Sequence, residues 1–162
     1  MIKIIDYDEK YLEDVRDLLV ELEEYIISID EDDLDCIHEE YREKMALVDL
    51  HDVSENDGKC YLALKDEKVV GLIMGVIPKY GEYDYLDYKC PRRGEITELV
   101  VTNKCRSVGV GQLLMNTMET YFIENGCEYV IVDVFAYNKN AINFYEKKGY
   151  HSRMETKIKK LN

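Results

Sequence analysis

The stretch from Gly94 to Gln112, GEITELVVTNKCRSVGVGQ, restricts the fold more than any other part of this chain. Ile96, Leu99, Val100 and Val101 are a short β-branched and aliphatic run that suits a buried strand. Arg106, Gly109 and Gly111 then form R-x-x-G-x-G, directly before the amphipathic run Val110, Leu113, Leu114, Thr117, Met118 and Tyr121. A strand feeding a glycine loop and then a helix N-terminus is a device for holding anionic phosphate. The glycines let the backbone approach, and the unpaired N–H groups of the first turn point at the anion. The loop lacks the Gly-Lys-Ser/Thr ending of a Walker A loop, and its glycines do not fit G-x-G-x-x-G.

The remaining elements follow from periodicity and turn chemistry. Met1 to Tyr7 alternates as an opening strand, and Asp6 or Asp8 can cap the helix carrying Tyr11, Leu12, Val15, Leu18, Leu19, Leu22, Tyr25 and Ile26. Ser28 to Asp35 is an acidic break. Without the Gly and Glu that a calcium loop requires at its sixth and twelfth positions, it reads as a solvated turn. A second helix is expected over Leu34 to Leu50, with Ile37, Tyr41, Met45 and Val48 on one side, then a turn-rich linker from Asp52 to Gly58. Lys59–Lys65 and Lys68–Pro78 read as strands joined by a tight Asp66-Glu67 hairpin, with Gly71 and Gly75 marking a bulge or a close backbone approach. Lys79 to Arg93, rich in tyrosine, is an irregular loop expected at the substrate entrance. The helix after the glycine loop stops at Asn125-Gly126, and Glu128 to Phe135 alternates as a strand. A further helix ends at Gly149, and Tyr150 to Lys160 is expected as a final strand. The sum is one mixed α/β domain over residues 1–162, in the order β-α-α-β-β-β-α-β-α-β.

Charge is unevenly distributed. Residues 1–57 hold 5 Lys/Arg against 21 Asp/Glu, while residues 58–162 hold 16 against 13. The basic half carries the phosphate loop, and the acidic half would attract a cation. So acidic a chain is a poor nucleic-acid binder. The longest apolar run, Val69 to Ile77, is too short to span a bilayer, and no secretory leader is expected at the N-terminus, so no membrane partner is expected. Five widely spaced cysteines without a C-x-x-C pair, and three histidines without ligand spacing, argue for reduced thiols in a cytoplasmic protein and against a metal.

About thirty residues after the loop comes N-x-x-A-x-x-F-Y-x-x-x-G-Y, built on Asn138, Ala141, Phe144, Tyr145, Gly149 and Tyr150. Together with R-x-x-G-x-G, in this order, it resembles the GNAT superfamily of acetyl-CoA-dependent N-acetyltransferases. The match covers residues 94–151, about a third of the chain. Ser107 stands where members often have Gly, and Asn103 where they often have Pro; neither change removes a phosphate-binding group.

The resemblance implies a mixed, partly antiparallel central sheet flanked by helices, with acetyl-CoA as cosubstrate. Its pyrophosphate would sit on the loop Arg106, Ser107, Val108, Gly109, Val110, Gly111 and Gln112. Its pantetheine arm would pair with the backbone of Leu99, Val100 and Val101 in a gap where the next strand splays away. Asn138, Ala141, Phe144 and Tyr145 complete the cofactor contacts that the resemblance implies. Phe144 is expected to be a core aromatic, and Tyr145 matches the general acid. A phenol near ~10 is not far above a thiolate near ~8.5 in pKa, so it can protonate the leaving sulfur. For the general base, the resemblance offers Glu95 and Glu98. In a regular strand the two point to opposite faces, and a bulge would change that phase; Glu98 is favoured. The expected activity is acetyl transfer to a primary amine of a small or peptidic, cationic substrate by direct attack. The alternative is a non-catalytic acyl-CoA-binding regulatory module. Members are often dimers, which makes a homodimer one assembly to expect.

Overall fold

The computed structural model describes residues 1–106 and 108–161. Five strands form one sheet in the order β1-β2-β3-β4-β5, with β1 Ile2–Asp6, β2 Lys59–Lys65, β3 Lys68–Val76, β4 Arg93–Val101 and β5 Tyr129–Val132. The first four are antiparallel neighbours, and β5 runs parallel to β4. The helices are α1 Leu12–Ile29, α2 Tyr41–Glu55, α3 Val110–Glu124 and α4 Lys139–Lys147.

Alternation along the strands divides the core in two. Ala63, Ile73 and Ile96 pack with Val110, Leu114, Met115, Met118 and Phe122 of α3 and with Tyr145 of α4. Leu62, Leu72, Met74 and Val100 pack on the other face with Val15, Leu18 and Leu19 of α1 and Ala46 of α2. The Asp66-Glu67 hairpin is present, both residues adopting positive φ (51° and 62°), the twist that a two-residue hairpin requires.

Two bulges interrupt the ladders. In β3, Val70 is extra between the Ala63–Gly71 and Leu64–Val69 pairs. In β4, Thr97 is extra between the Met74–Glu98 and Gly75–Ile96 pairs. Gly75 and Gly94 are close approaches. A Cβ on Gly75 would meet Phe122 at 2.8 Å, and one on Gly94 would meet the Phe122 ring at 2.4 Å.

Three expectations are corrected. The second helix begins at Tyr41 and runs to Glu55, beyond Leu50, so the start of the expected Asp52–Gly58 linker is helical. It buries Ala46 and packs through Leu50 and Val53, while Ile37 and Val48 are exposed. Helix α3 buries Met115 and Phe122, which the sequence pattern omitted, and leaves Leu113 exposed. No strand is assigned over 150–161. Met154, Ile158 and Leu161 are exposed, and the basic residues among them offer no continuous apolar face to hold a strand on the sheet.

The Gly94 contact yields a test. Gly94→Ala overpacks the α3 face and is expected to cost about 1–3 kcal/mol in denaturant unfolding. Phe122→Leu in the same chain should recover part of that loss.

Candidate active site

The β4–β5 ladder begins at Arg93–Tyr129 and ends at Ile96–Val132, one residue before the Thr97 bulge. β4 continues to Val101 without a β5 partner. The Thr102 N–H donates to the Val70 carbonyl at 2.9 Å, so alternation turns the peptide groups of Val101 and Leu99 away from β3, towards the open side. Leu99 and Val101 direct their side chains at the α3 face, and Val100 is buried on the other.

β4 then enters a 3-10 turn, Asn103–Cys105, and the glycine loop. Gly109 precedes α3 with φ 84°, a left-handed conformation that costs a glycine little. The first backbone bond into the helix is from the Leu113 N–H to the Gly109 carbonyl at 3.1 Å, which leaves the N–H groups of Val110, Gly111 and Gln112 outside the helical ladder. Gly111 backs onto the Phe144 ring, 3.7 Å from where a Cβ would sit. Val108 and Gln112 are exposed and Val110 is buried. Ser107 lies outside the described residues.

Arg106 folds back over β4. Its Nε donates to the Val101 carbonyl at 3.1 Å, and its guanidinium lies 5.2 Å from the Tyr25 ring centre. Its terminal nitrogens have no hydrogen bond among the described residues. These donors, with the first-turn N–H groups of α3, suit a diphosphate.

On the far side of the gap, α4 supplies both of its own ends. Asn138 Oδ1 accepts from the Ala141 N–H at 3.1 Å as an N-cap. Gly149, at φ 91°, closes the helix. The Tyr150 N–H bonds the Tyr145 carbonyl and the Gly149 N–H bonds the Glu146 carbonyl, both at 3.0 Å, a Schellman motif. The N-x-x-A and x-x-x-G-Y spacings are therefore caps as well as candidate site residues. Capping engages the Asn138 oxygen and leaves its amide nitrogen as the donor for a ligand.

Tyr145 is buried between Phe144 and Tyr150, with ring centres 5.3 and 5.5 Å away. Its hydroxyl makes no hydrogen bond among the described residues. Burial, reinforced by the Glu98 charge, pushes it up to about 12, so the phenol keeps its proton.

The bulge settles the phase of the two glutamates. Ile96 and Leu99 share a face although they are three residues apart, so Glu95 and Glu98 both lie on the α1/α2 face. Burial first, then Asp49 and Glu23, push Glu98 up to about 8. Asp49 is pushed up to about 6 by burial and by Asp52, and its Oδ2 is enclosed without a hydrogen-bond partner among the described residues. Burial also raises Glu23 and Tyr41, and Glu23, Glu98 and Asp49 raise Tyr41 further. Glu23 and Asp49 were not singled out in the sequence, and Tyr41 only as an apolar position of the second helix. Glu23 is on α1, Tyr41 and Asp49 are on α2 and Glu98 is on β4, and only the packing of the two helices on the sheet gathers them.

The model of the acetyltransferase (GNAT) family matches residues 19–150, and the chain belongs to this family of acetyl-CoA-dependent acyltransferases. It is 33% identical over 94 residues to an uncharacterized N-acetyltransferase, MJ1530, of Methanocaldococcus jannaschii, covering 57% of this chain and 53% of that protein. It is 31% identical over 91 residues to N-alpha-acetyltransferase 30 of Xenopus laevis, covering 56% of this chain and 31% of that one. The alignments thus span about half, or less, of the curated relatives. Among solved structures, a variant of the BH1408 protein from Bacillus halodurans superposes with TM-score 0.85 at 16% identity over 99% of both chains. AAC(6')-Iy, in complex with the bisubstrate analog CoA-S-monomethyl-acetylneamine, superposes with TM-score 0.69 at 15% identity over 100% of this chain and 99% of that one.

The Glu98 environment has a thermodynamic signature. With a folded value near 8 against an ordinary 4.5, Glu98 keeps its proton after the unfolded chain has released it. Folding then takes up a proton, so stability is full below the ordinary value and falls as pH rises towards about 8. Glu98→Gln should flatten that fall, read as the denaturant midpoint against pH.

Proposed function

We propose that this protein is a single-domain N-acetyltransferase that moves the acetyl group of acetyl-CoA to a primary amine of a small or peptidic, cationic acceptor by direct attack. One observation carries the reading. β4 loses its β5 partner at the Thr97 bulge and runs on into the phosphate-type loop, with Glu98 and Tyr145 electrostatically coupled beside the opening.

Acetyl-CoA supplies a thioester whose carbonyl carbon accepts the amine nitrogen and whose sulfur leaves with the C–S electron pair. Arg106 and the N–H groups of Val110, Gly111 and Gln112 hold the diphosphate, with Ser107, Val108 and Gly109 completing the loop. The outward peptide groups of Leu99 and Val101, flanking Val100, receive the pantetheine arm, with Asn138, Ala141 and Phe144 on its other side. The Leu99 N–H is the donor available to the developing oxyanion. Glu98 takes a proton from the acceptor ammonium, directly or through water, and the freed nitrogen lone pair attacks. Tyr145 gives its proton to the departing sulfur. Burial raises a thiolate in the same apolar gap as it raises the phenol, so the two remain close enough in basicity for transfer. Glu95, on the same face but nearer the β5 ladder, is the second candidate base.

The acidic surroundings support a cationic acceptor. An ammonium beside Glu98, Asp49 and Glu23 would relieve their mutual repulsion and give the enclosed Asp49 Oδ2 a partner. The curated relative named N-alpha-acetyltransferase 30 and the structural neighbour bound to an acetylneamine analog are both compatible with amine acceptors. Five unpaired cysteines support a reducing, cytoplasmic setting. No described helix is long and apolar enough to cross a membrane.

The test is thiol release from acetyl-CoA across a panel of amines. Tyr145→Phe should lower kcat by about 10²-fold or more. Because Glu98 must be ionised to accept a proton, kcat/KM should rise with pH through about 8, and Glu98→Gln should remove that limb. Tight acetyl-CoA binding with no turnover on any amine would instead favour the regulatory module.

A further inference from the structure

A gap in a sheet has no ladder to fix its width. Beyond Ile96–Val132, nothing in the sheet itself sets the separation of β4 and its glycine loop from the segment leading into α4. Helix α1, packed on the opposite face from α3, makes contacts on both sides of that opening. One turn before Tyr25, Glu21 receives the Asn103 N–H at 2.7 Å and the Thr102 hydroxyl at 2.9 Å, which fixes the start of the loop. Tyr25 itself lies under the Arg106 guanidinium, while its hydroxyl is 3.4 Å from both Asn138 Oδ1 and Asn140 Nδ2. Further on, Asp32 accepts from the Tyr137 hydroxyl at 3.0 Å.

From this geometry we infer that Tyr25 is a positioning residue for the acetyl donor: its ring holds the Arg106 guanidinium in a fixed plane at the mouth of the gap, acting through Arg106 on the donor's diphosphate. The inference rests on the donor reading above and adds a residue that neither glycine-loop nor α4 motif contains. An arginine side chain loses considerable rotamer freedom when it binds an anion. Here the loss is already incurred in the free protein. Nε is tied to the Val101 carbonyl, the cation lies over the Tyr25 ring, and the terminal nitrogens, without a hydrogen bond among the described residues, remain to grip phosphate. The hydroxyl contacts to Asn138 and Asn140 are long and serve as a looser tie between the two walls.

The experiment is calorimetric binding of CoA, and of pantetheine without its diphosphate, to the full chain and to Tyr25→Phe and Tyr25→Leu. Tyr25→Leu is expected to weaken CoA roughly three- to tenfold, leave pantetheine unchanged, and raise KM for acetyl-CoA without lowering kcat at saturation. Tyr25→Phe keeps the ring and should stay within about twofold of the parent. On an Arg106→Gln background, Tyr25→Leu should cost nothing more. Unchanged CoA affinity in Tyr25→Leu, an equal loss for pantetheine, or the same loss with and without Arg106 would each overturn the assignment. If Tyr25→Leu does not fold, Tyr25→Met makes the same comparison. Failure of the parent chain to bind CoA would overturn the donor reading itself, whereas parental binding with indifferent variants would overturn only the role of Tyr25.

Discussion

Thr97 is the extra residue in β4, and the site depends on the half-turn of phase that it introduces. On its Arg93 side, Gly94 and Ile96 face α3 and the strand pairs with β5. On its Val101 side, Leu99 and Val101 take over the α3 face and the parallel ladder is gone. One inserted residue thus brings Glu98 onto the face of Glu95, beneath α1 and α2, and frees the peptide groups of the following residues. A bulge twists a strand and disrupts its pairing, and here both effects occur where the proposed chemistry needs them.

Electrostatics is assembled across that face. Burial raises Glu98 most, and the carboxylates of α1 and α2 raise it further. Tyr145, reached from α4 on the other side, feels Glu98 in turn. Glu98, Asp49 and Glu23 oppose one another's ionisation, so the face holds protons that free carboxylates would release. A cation bound there, as proposed, would turn that repulsion into attraction.

Features that are local in the chain were legible in the sequence. The N-x-x-A and G-Y spacings of α4, the Asp66-Glu67 hairpin and the glycine loop before α3 follow from neighbours within a turn or two. A bulge is the condition that alters the glutamate phase, but its location at Thr97 is visible only in the register with β3. Non-local features were missed. The bounds of α2 shifted because Ala46, Leu50 and Val53, and not Ile37 and Val48, meet the sheet. The strand expected after Tyr150 is absent because its alternation has no face to cover. Tyr25 read as one more apolar position of an amphipathic helix, although its ring borders a cation from 81 residues away.

Because α4 starts on its own asparagine and stops on its own glycine, the ends of the nine-residue segment holding Tyr145 are set by residues of that segment and its immediate flanks. Under the proposed mechanism, sequence drift in the acidic half would reshape the acceptor side without disturbing the proposed acid. Such a chain would separate the part that performs a reaction from the part that selects what undergoes it. New specificities could then arise by remodelling α1 and α2 while the proposed proton donor stays in position.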